Sequence, residues 1–592
     1  MSRTTSNIEM TSGLMFRLLP AQVLLAMVGA INGLVSSYFA SNYVGIEAMG
    51  AVGLYLPLNL LVTAVGTVLI GGSSILCGRH LGEDHVGRIQ NVFSLTIIAS
   101  SVLALLFTAL FLVMGIFDLT SPLTQDAAVR PIFNTYLIGQ ALGIVPLMLG
   151  NSLAMFLSLE NRGRRALVAS IAYAVANVVL NYVLVGIMGL EAIGLALAGS
   201  LGLWVFLAVQ AEAFMTGRSM FSLRVRGLSW REVSEIARIG LPGAAGNIYL
   251  TLRGLVVNHV LEASAGSMAI SAFAASNSLL NIVWAIPAGM LAVSRMVISV
   301  SVGEEDRQTL TDVFRVMFLR FIPLMLVIDA GVMALAQPLA GIFFSVSSGP
   351  VYAMTAWGFR LLPLCMPFSI ICMHFTCYAQ VSNKQGLVHV LALLDGVVCV
   401  AAFSFVLAPT MGIIGVYVAN ILNGVVTTFV IVAYAFMKNR RPPRTMDELL
   451  VIPEDFGAPD ADRLDVSVKD IEGVALVSDK VWDFCREHGM SERVAYFSAL
   501  AMEEMAGNVV SHGFMKDSRR HSVDIRVVHK GETIILRIKD DCVPFDPSER
   551  LSQTDPDDRL RNVGIRLVFR MADDVQYQNV LGMNVLTIRM GS

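Results

Sequence analysis

The feature that most constrains this chain is a series of apolar stretches, each long enough to cross a lipid bilayer as a helix. One crossing takes about 20 mostly apolar residues, because the hydrocarbon core is about 30 Å thick. Of the 592 residues, 55% are hydrophobic and only 15% are charged, and the mean hydropathy is +0.67. These values exclude an ordinary soluble protein. We predict about twelve transmembrane helices: Phe16 to Ala40, Leu54 to Leu76, Asn91 to Phe117, Phe133 to Leu157, Ala166 to Ile187, Gly194 to Met215, Ile239 to Leu261, Met268 to Val297, Val313 to Pro338, Tyr352 to Ala379, Leu387 to Leu407 and Ile413 to Met437.

The connections between these stretches alternate in charge. The connections around Gly45, Gly189, Ala265, Ser347 and Pro409 contain no Lys or Arg. The connection after the third stretch has only Arg130. The other connections are basic, and basic loops stay on the cytoplasmic side of a membrane. We therefore expect a multi-pass protein of the cytoplasmic (inner) membrane with both termini cytoplasmic. The basic residues are Arg79, Arg88, Arg162, Arg164, Arg165, Arg218, Arg224, Arg226, Arg231, Arg307, Lys384, Lys438, Arg440, Arg441 and Arg444.

The apolar part of the chain repeats itself at a displacement of 221 positions. This displacement aligns Gly33-Leu34-Val35 with Gly254-Leu255-Val256, and Gly82-Glu83-Asp84 with Gly303-Glu304-Glu305. An even number of helices separates the copies, so both have one topology, as in transporters whose halves move about a central site. We predict a first six-helix lobe over 1–222, a second over 223–440, a basic then acidic linker over 441–462, and a cytoplasmic domain over 463–592.

Four short motifs connect this architecture with a known family. They are Gly45-Ile46-Glu47-Ala48-Met49, Leu81-Gly82-Glu83-Asp84, Met188-Gly189-Leu190-Glu191-Ala192 and Leu241-Pro242. In their order and spacing they resemble the multidrug and toxic compound extrusion (MATE) transporters, over about three quarters of the chain. The resemblance implies two V-shaped lobes, alternating access, and export of small, often cationic compounds driven by proton or sodium entry.

The first-lobe positions that carry coupling acids in that family are not acidic here. Matching the motif places Ser37 in helix one and Asn181 in helix five, with Asn177 one turn earlier. The acidic position of helix seven corresponds to Leu250. These side chains cannot ionise, so the family's usual coupling chemistry does not carry over to them.

Ionisable residues within the apolar stretches are concentrated in the second lobe. They are Arg253, Asp329, Arg360, His374 and Asp395. A charge in hydrocarbon is costly and therefore marks a candidate functional site. Asp395 is the best coupling candidate, and the structural alternative is an ion pair from Asp395 to Arg253 or Arg360.

The composition changes after Met437, because 27 of the 45 acidic residues follow Arg444. A basic, Pro-containing segment there indicates the end of the last helix against the anionic lipid surface. The remainder predicts a small α/β sandwich. Its strands are expected near Leu464 to Lys469, Val523 to Val528, Ile534 to Asp540, Val575 to Gln578 and Met583 to Arg589, with helices near Val474 to His488, Ser491 to His512 and Gly564 to Ala572.

Polar side chains in this tail have a helical spacing. Glu504, Asn508 and His512 recur every four residues and therefore lie on one helix face. Asp540 ends a strand, and Gly564 opens a helix whose free amides suit a phosphate. In this order the elements resemble the GHKL (histidine kinase-like) ATP-binding domain, in its anti-sigma-factor serine kinase branch.

The resemblance implies specific roles for these residues. Glu504 is the candidate catalytic base, Asn508 would coordinate Mg²⁺ of Mg·ATP, and Asp540 would bind adenine. His512, Gly564 and Arg566 would complete the ATP site, Ser548 to Asn562 would form the lid, and the partner would be a STAS-type or other regulatory protein. Cys542, Pro544 and Arg566 stand where the family often has Gly, so a docking module without ATP remains an alternative.

The leading hypothesis is a MATE-type secondary transporter of a small-molecule substrate, coupled to H⁺ or Na⁺ and regulated by the ATP-binding tail. A membrane-bound sensor whose tail is a serine kinase, and a flippase for a lipid-linked substrate, remain open. No G-x-x-x-x-G-K-[ST] motif precedes a helix, which disfavours an ATP-driven pump. Nothing in the sequence indicates nucleic-acid binding.

Overall fold

The computed structural model describes residues 8–44, 46–83, 85–124, 129–215, 219–224, 228–344, 349–516, 521–552 and 562–591. The chain divides into two compact units. One consists of Met15–Glu304 and Phe314–Val451, and the other of Met1–Leu14, Glu305–Val313 and Ile452–Ser592. The unit that contains the chain's C-terminus thus includes a short segment from the middle of the sequence.

The larger unit is helical, and its helices are apolar around most of their circumference, as helices in lipid are. Eleven helical segments of the described chain are long and apolar enough to cross a membrane. The helices span Ile8–Phe39, Ile46–Gly82, Val86–Ile116, Val129–Leu159, Gly163–Asn181, Glu191–Met215, Arg231–Gly303, Arg307–Val316, Ile322–Ala334, Ala336–Phe343, Pro350–Leu361, Met366–Val381, Gln385–Leu393, Cys399–Met411, Ile413–Asn439 and Met446–Leu450. Single π-helical turns occur at Ala40–Val44, Tyr182–Ile187, Met317–Phe321 and Leu394–Val398.

The expected count of about twelve differs from the observed eleven in one place. The predicted helix Ile239 to Leu261 is the first of two helices within Arg231–Gly303, which a kink at Gly266, at φ 75°, divides. The candidate crossing in this run is Met268–Gly303. The first part is helical, but Arg253 and His259 lower its mean hydropathy.

Repeat-related residues pack against each other in the larger unit. A Cβ on Gly82 would collide with the backbone around Val300, and one on Gly303 would collide with the carbonyl of Arg79. Gly78 approaches Ser299, its own partner at the displacement of 221, because a Cβ there would lie 2.5 Å from the Ser299 Cβ. Small residues allow such close backbone approach between membrane helices. The two repeats therefore meet about a local pseudo-twofold axis.

The smaller unit contains a five-stranded antiparallel sheet in the order β1-β2-β3-β5-β4. The strands are β1 (Arg463–Val468), β2 (Val523–Lys530), β3 (Thr533–Asp540), β4 (Asp574–Val580) and β5 (Met583–Gly591). Alternation in β2 and β3 buries Val523, Ile525 and Val527 on one face with Ile534, Leu536 and Ile538. The helices Ile471–Glu487, Glu492–Asn508 and Val563–Met571 contribute to this core, and Pro547–Ser552 is a short fourth helix.

Hydrogen-bonding side chains define where two of these helices begin. Asp470 accepts from the backbone N–H of Gly473, and Ser491 accepts from that of Val494. Such N-caps satisfy amides that have no partner within the helix. The predicted layered domain is confirmed, with boundaries that differ by a few residues from those expected.

Candidate functional site

The helix Glu492–Asn508 carries the polar face that the sequence predicts. It ends in a π-helical turn, Val509–Gly513, rather than continuing to His512 as an α-helix. The wider turn projects His512 toward solvent, while Asn508 stays half-buried. Isolated π-helical turns are common at functional sites, because they reposition a side chain without ending the helix.

A cavity of about 470 Å³ lies beside this turn. Its volume falls within the range of small-molecule sites. Asn508, His512 and Asp540 all lie on its walls. The other lining residues are Met505, Val509, Gly513, Ile538, Cys542, Val543, Phe545, Pro547, Arg550, Asn562, Ile565, Tyr577, Asn584 and Leu586.

Asp540 is held in place by a hydrogen-bond network. The Nδ2 of Asn584, its cross-strand partner on β5, donates to Asp540 Oδ1 at 2.8 Å, and the Cys542 backbone N–H donates to the same oxygen at 2.9 Å. The Tyr577 hydroxyl donates to Asn584 Oδ1 at 2.8 Å and fixes the amide's orientation. Asp540 is only 4% exposed, and this burial raises the pKa of its carboxyl despite the donated hydrogen bonds.

Sequence reasoning found Asp540 but assigned no role to Asn584. The register of β3 with β5, which places Asp540 opposite Asn584, carries the missing signal. Tyr577 also accepts from the Phe545 backbone N–H at 3.1 Å, and burial raises the pKa of its hydroxyl to about 12. Asn584 and Tyr577 therefore position a carboxylate that is chemically suited to accept from an amino group.

Glu504 lies against the start of the helix Val563–Met571. A Cβ on Gly564 would overlap the Glu504 carboxylate, so only Gly permits this contact. Glu504, Gly564 and Arg566 do not line the cavity that Asn508 and Asp540 share. Both Gly564 and Arg566 are half-buried near the first turn of that helix.

The expected lid is only partly within the described residues. Pro547–Ser552 forms a short helix, and Asn562 precedes the next helix in a left-handed conformation, at φ 54°. The intervening residues 553–561 lie outside the described part of the chain. Cys542 is 5% exposed, which argues against a reactive thiol.

In the helical unit, Asp395 is half-buried within the π-helical turn Leu394–Val398. Asn423 Nδ2 donates to its Oδ1 at 2.8 Å. Within the described chain Asp395 forms no ion pair, so the alternative of a salt bridge to Arg253 or Arg360 is wrong for this structure. Arg360 instead stacks on the Trp357 ring at 5.3 Å.

Asp329 is a buried carboxylate of a different kind. Its side chain is 2% exposed, and neither oxygen has a hydrogen-bond partner within the described chain. A buried carboxyl group without a partner is stable only when it holds a proton or a cation. The sequence flags Asp329 as a charge in an apolar stretch, but its lack of a partner is visible only in the structure.

His374 is fully buried, and both of its ring nitrogens have partners. Nδ1 lies 2.7 Å from the Ile370 carbonyl and Nε2 lies 2.8 Å from Ser294 Oγ. A carbonyl only accepts, so Nδ1 carries the proton and Nε2 accepts from the hydroxyl. This arrangement is that of a neutral histidine held between helices.

The first-lobe asparagines form a buried polar cluster. Asn177 Nδ2 donates to Asn32 Oδ1 at 3.0 Å, and Asn181 Nδ2 donates to the Asn177 carbonyl at 2.8 Å. Both Asn177 and Asn181 are fully buried. These uncharged side chains connect the helices Ile8–Phe39 and Gly163–Asn181 by hydrogen bonds. The side chain of Ser37 lies outside the described residues.

Comparison with known proteins agrees with both units. One family model, MatE, matches residues 24–183, and another, the histidine kinase-like ATPase domain, matches residues 468–590. The chain contains a MatE domain followed by a histidine kinase-like ATPase domain. No curated protein matches the chain significantly.

Solved structures resemble the part of the chain that includes the MatE domain. A crystal structure of MATE in complex with MaL6 has a TM-score of 0.67 at 20% identity and covers 72% of this chain and 97% of its own. A MOP superfamily transporter from Pyrococcus furiosus, described as having a binding pocket of reverse polarity, has a TM-score of 0.66 at 19% identity and covers 75% and 99%. A multidrug resistance MATE family transporter in an outward-facing conformation has a TM-score of 0.64 at 20% identity and covers 72% and 96%. At this identity the likeness establishes the fold.

Residues that line the cavity of the ATPase-like domain could hold a nucleotide. Asn508 offers an amide oxygen. Mg²⁺ binds oxygen ligands of this kind together with phosphate and water oxygens. Arg550 supplies positive charge at the wall, and Asp540 supplies an acceptor for an adenine amino group.

Proposed function

We propose that this protein is a secondary transporter that exports small molecules by alternating access, driven by cation entry. The observation that carries the proposal is the likeness of nearly three quarters of the chain to MATE transporters along almost their whole length. The pseudo-twofold packing of the repeats at Gly82 and Gly303 suits two halves that move about a shared axis.

The coupling cation would bind in the second lobe. Asn177 and Asn181, the matching first-lobe positions, are uncharged and hydrogen-bonded to their neighbours. Among the described residues, the Asp329 carboxylate has no hydrogen-bond partner, whereas the Asp395 carboxylate accepts a hydrogen bond from the Asn423 amide. We assign both carboxylates to coupling, with Asp329 as the group whose charge most needs a proton or Na⁺.

The ATPase-like domain would bind Mg·ATP and regulate transport. In this role Asn508 would hold Mg²⁺, and Asp540, oriented by Asn584, would select adenine. Transport assays on the full-length protein in vesicles test the whole proposal. Gradient-driven export of a small cationic dye that responds to Mg·ATP supports it, and the absence of gradient-driven flux contradicts it.

A signalling function is the second candidate, because Glu504 lies at the start of the helix Val563–Met571 beside the cavity. In that case the tail would transfer phosphate to the serine of a regulatory protein, with Glu504 as base. Phosphorylation of a partner by the purified protein, lost in Glu504→Gln and accompanied by no transport, would favour signalling over export.

A further inference from the structure

The outer face of the sheet in the ATPase-like domain is covered by a segment distant in sequence. This segment, Glu305–Val313, belongs to the same compact unit as the domain. It precedes and begins a helical span, Arg307–Ala334, which carries Asp329. The contact therefore joins the nucleotide-binding domain to the start of the span that holds the unpartnered carboxylate.

Asp306 is the centre of this contact. Its Oδ1 accepts from Arg526 Nη2 at 2.7 Å, and its Oδ2 lies 3.6 Å from Lys539 Nζ. Arg526 Nε also donates to Asp465 at 2.7 Å, so one guanidinium joins carboxylates from two distant parts of the chain. Asp306 and Asp465 are 6% and 5% exposed, although residues on this sheet face would otherwise be solvated.

The same aspartate fixes the start of the following helix. Asp306 Oδ1 accepts from the Thr309 backbone N–H at 2.9 Å, and Oδ2 accepts from the Thr309 hydroxyl at 2.7 Å. Burial alone would raise the pKa of Asp306, but Arg526 and Lys539 hold it far below its usual range. Asp306 is therefore ionised at physiological pH, and its charge is shared between the helix N-terminus and the sheet.

The sheet connects this contact to the nucleotide cavity. Lys539 and Asp540 are successive residues of β3, so their side chains lie on opposite faces. Lys539 faces Asp306 on the outer face, whereas Asp540 lines the cavity on the inner face. A displacement of Asp540 when adenine binds would therefore move β3, the strand whose Lys539 contacts Asp306.

We infer that Asp306 couples nucleotide binding in the ATPase-like domain to the helical span Arg307–Ala334, through its contacts with Arg526 and Lys539. The inference rests on the proposed nucleotide binding and goes beyond it by naming the contact that transmits the signal. Coupling between two sites is reciprocal, so breaking the Asp306 contact must change nucleotide affinity.

The test measures Mg·ATP affinity by calorimetry on the full-length protein in detergent. The variants are Asp306→Asn, Arg526→Gln, the double variant that combines them, and Glu305→Gln as the matched control, because Glu305 is the adjacent exposed acid. We expect Asp306→Asn to change the Kd at least about fivefold. The double variant should change the Kd no more than the larger of the two single changes, because both substitutions break the same contact. Glu305→Gln should match the wild type.

Hydrogen exchange of Val523–Lys530 shows whether the sheet face has opened in each folded variant. An unchanged Kd in Asp306→Asn, with faster exchange in that strand, overturns the coupling. Independent effects, in which the Kd changes of the two single variants multiply in the double variant, overturn the pairing with Arg526. Absence of Mg·ATP binding by the wild type overturns the proposed nucleotide function itself, and the coupling with it, and is distinguishable from the other two results.

Discussion

At the scale of single residues, we propose that adenine recognition depends on Asp540. Replacing it by Asn should weaken Mg·ATP binding by about 1.5–3 kcal/mol, or about 10- to 150-fold in Kd, because a charge-assisted hydrogen bond is lost. Asp541→Asn is the matched control, since Asp541 contacts His521 and does not line the cavity. Calorimetry on the full-length variants measures both, and equal affinities would contradict the assignment.

The raised pKa of Asp540 gives binding a pH dependence. The carboxyl must be ionised to accept from an adenine amino group, and burial makes it take up a proton at higher pH than the usual value of about 3.9. Mg·ATP affinity should therefore fall as the pH drops through this raised pKa. The nucleotide-free domain should gain stability through this group on acidification, because its folded state binds the proton more tightly. Asp540→Asn should remove both trends in titrations across pH.

Asp329 gives a prediction in which activity and stability move in opposite directions. Asp329→Asn removes a buried charge that has no partner at nearly constant volume, so it should leave the protein as stable or stabilise it by about 1–3 kcal/mol. Cation-driven export should fall at least about tenfold, as for the loss of an essential coupling group. Asp395→Asn tests the second carboxylate in the same vesicles. Wild-type ion-coupled flux in both variants would contradict the second-lobe assignment.

At the scale of helices and strands, Gly82 lies at a point of close packing between the repeats. Gly82→Ala would place a Cβ within the backbone near Val300. That backbone can move aside only if the two helices separate. We expect a loss of about 1–3 kcal/mol of stability. Gly66→Ala in the same helix is the control, because no atom lies within 4 Å of its Cβ position. Thermal unfolding in detergent compares the two, and equal midpoints would contradict the packing.

Gly564 tests the position of Glu504 in the ATPase-like domain. Gly564→Ala should displace the Glu504 carboxylate, whereas Gly507→Ala meets only one atom, at 3.9 Å, and should be neutral or stabilising by about 0.5–1 kcal/mol. If Glu504 acts in phosphate chemistry, Gly564→Ala lowers that activity and Gly507→Ala does not. Phosphate release by the purified full-length protein measures it, and identical rates would remove Glu504 from the chemistry.

The sequence predicts these elements better than the contacts between them. Alternation in β2 and the four-residue spacing of Glu504, Asn508 and His512 are local patterns, and the structure follows them to within a few residues. The π-helical turn at Val509–Gly513 has no such pattern and was missed. The Asp306 and Arg526 contact joins residues 220 positions apart and depends on how the chain folds back.

At the scale of the whole molecule, the chain combines a MatE domain with an ATPase-like domain. We propose that the first carries out transport and that the second regulates it by binding a nucleotide. The repeat at 221 positions predicted that the two copies share one topology, and in the structure the repeat-related residues Gly78 and Ser299 meet. The predicted helices Ile239 to Leu261 and Met268 to Val297 both lie within Arg231–Gly303, on either side of the kink at Gly266.

The central claim is that Mg·ATP bound by the ATPase-like domain changes cation-driven transport. The most direct test is export of a fluorescent cation by the full-length protein in vesicles with an imposed H⁺ or Na⁺ gradient, with and without Mg·ATP on the side of the ATPase-like domain. We expect gradient-driven flux that changes with Mg·ATP in the wild type. In Asp540→Asn the flux should not change with Mg·ATP. Wild-type flux that saturating Mg·ATP does not change, or the absence of gradient-driven flux, would contradict the central claim.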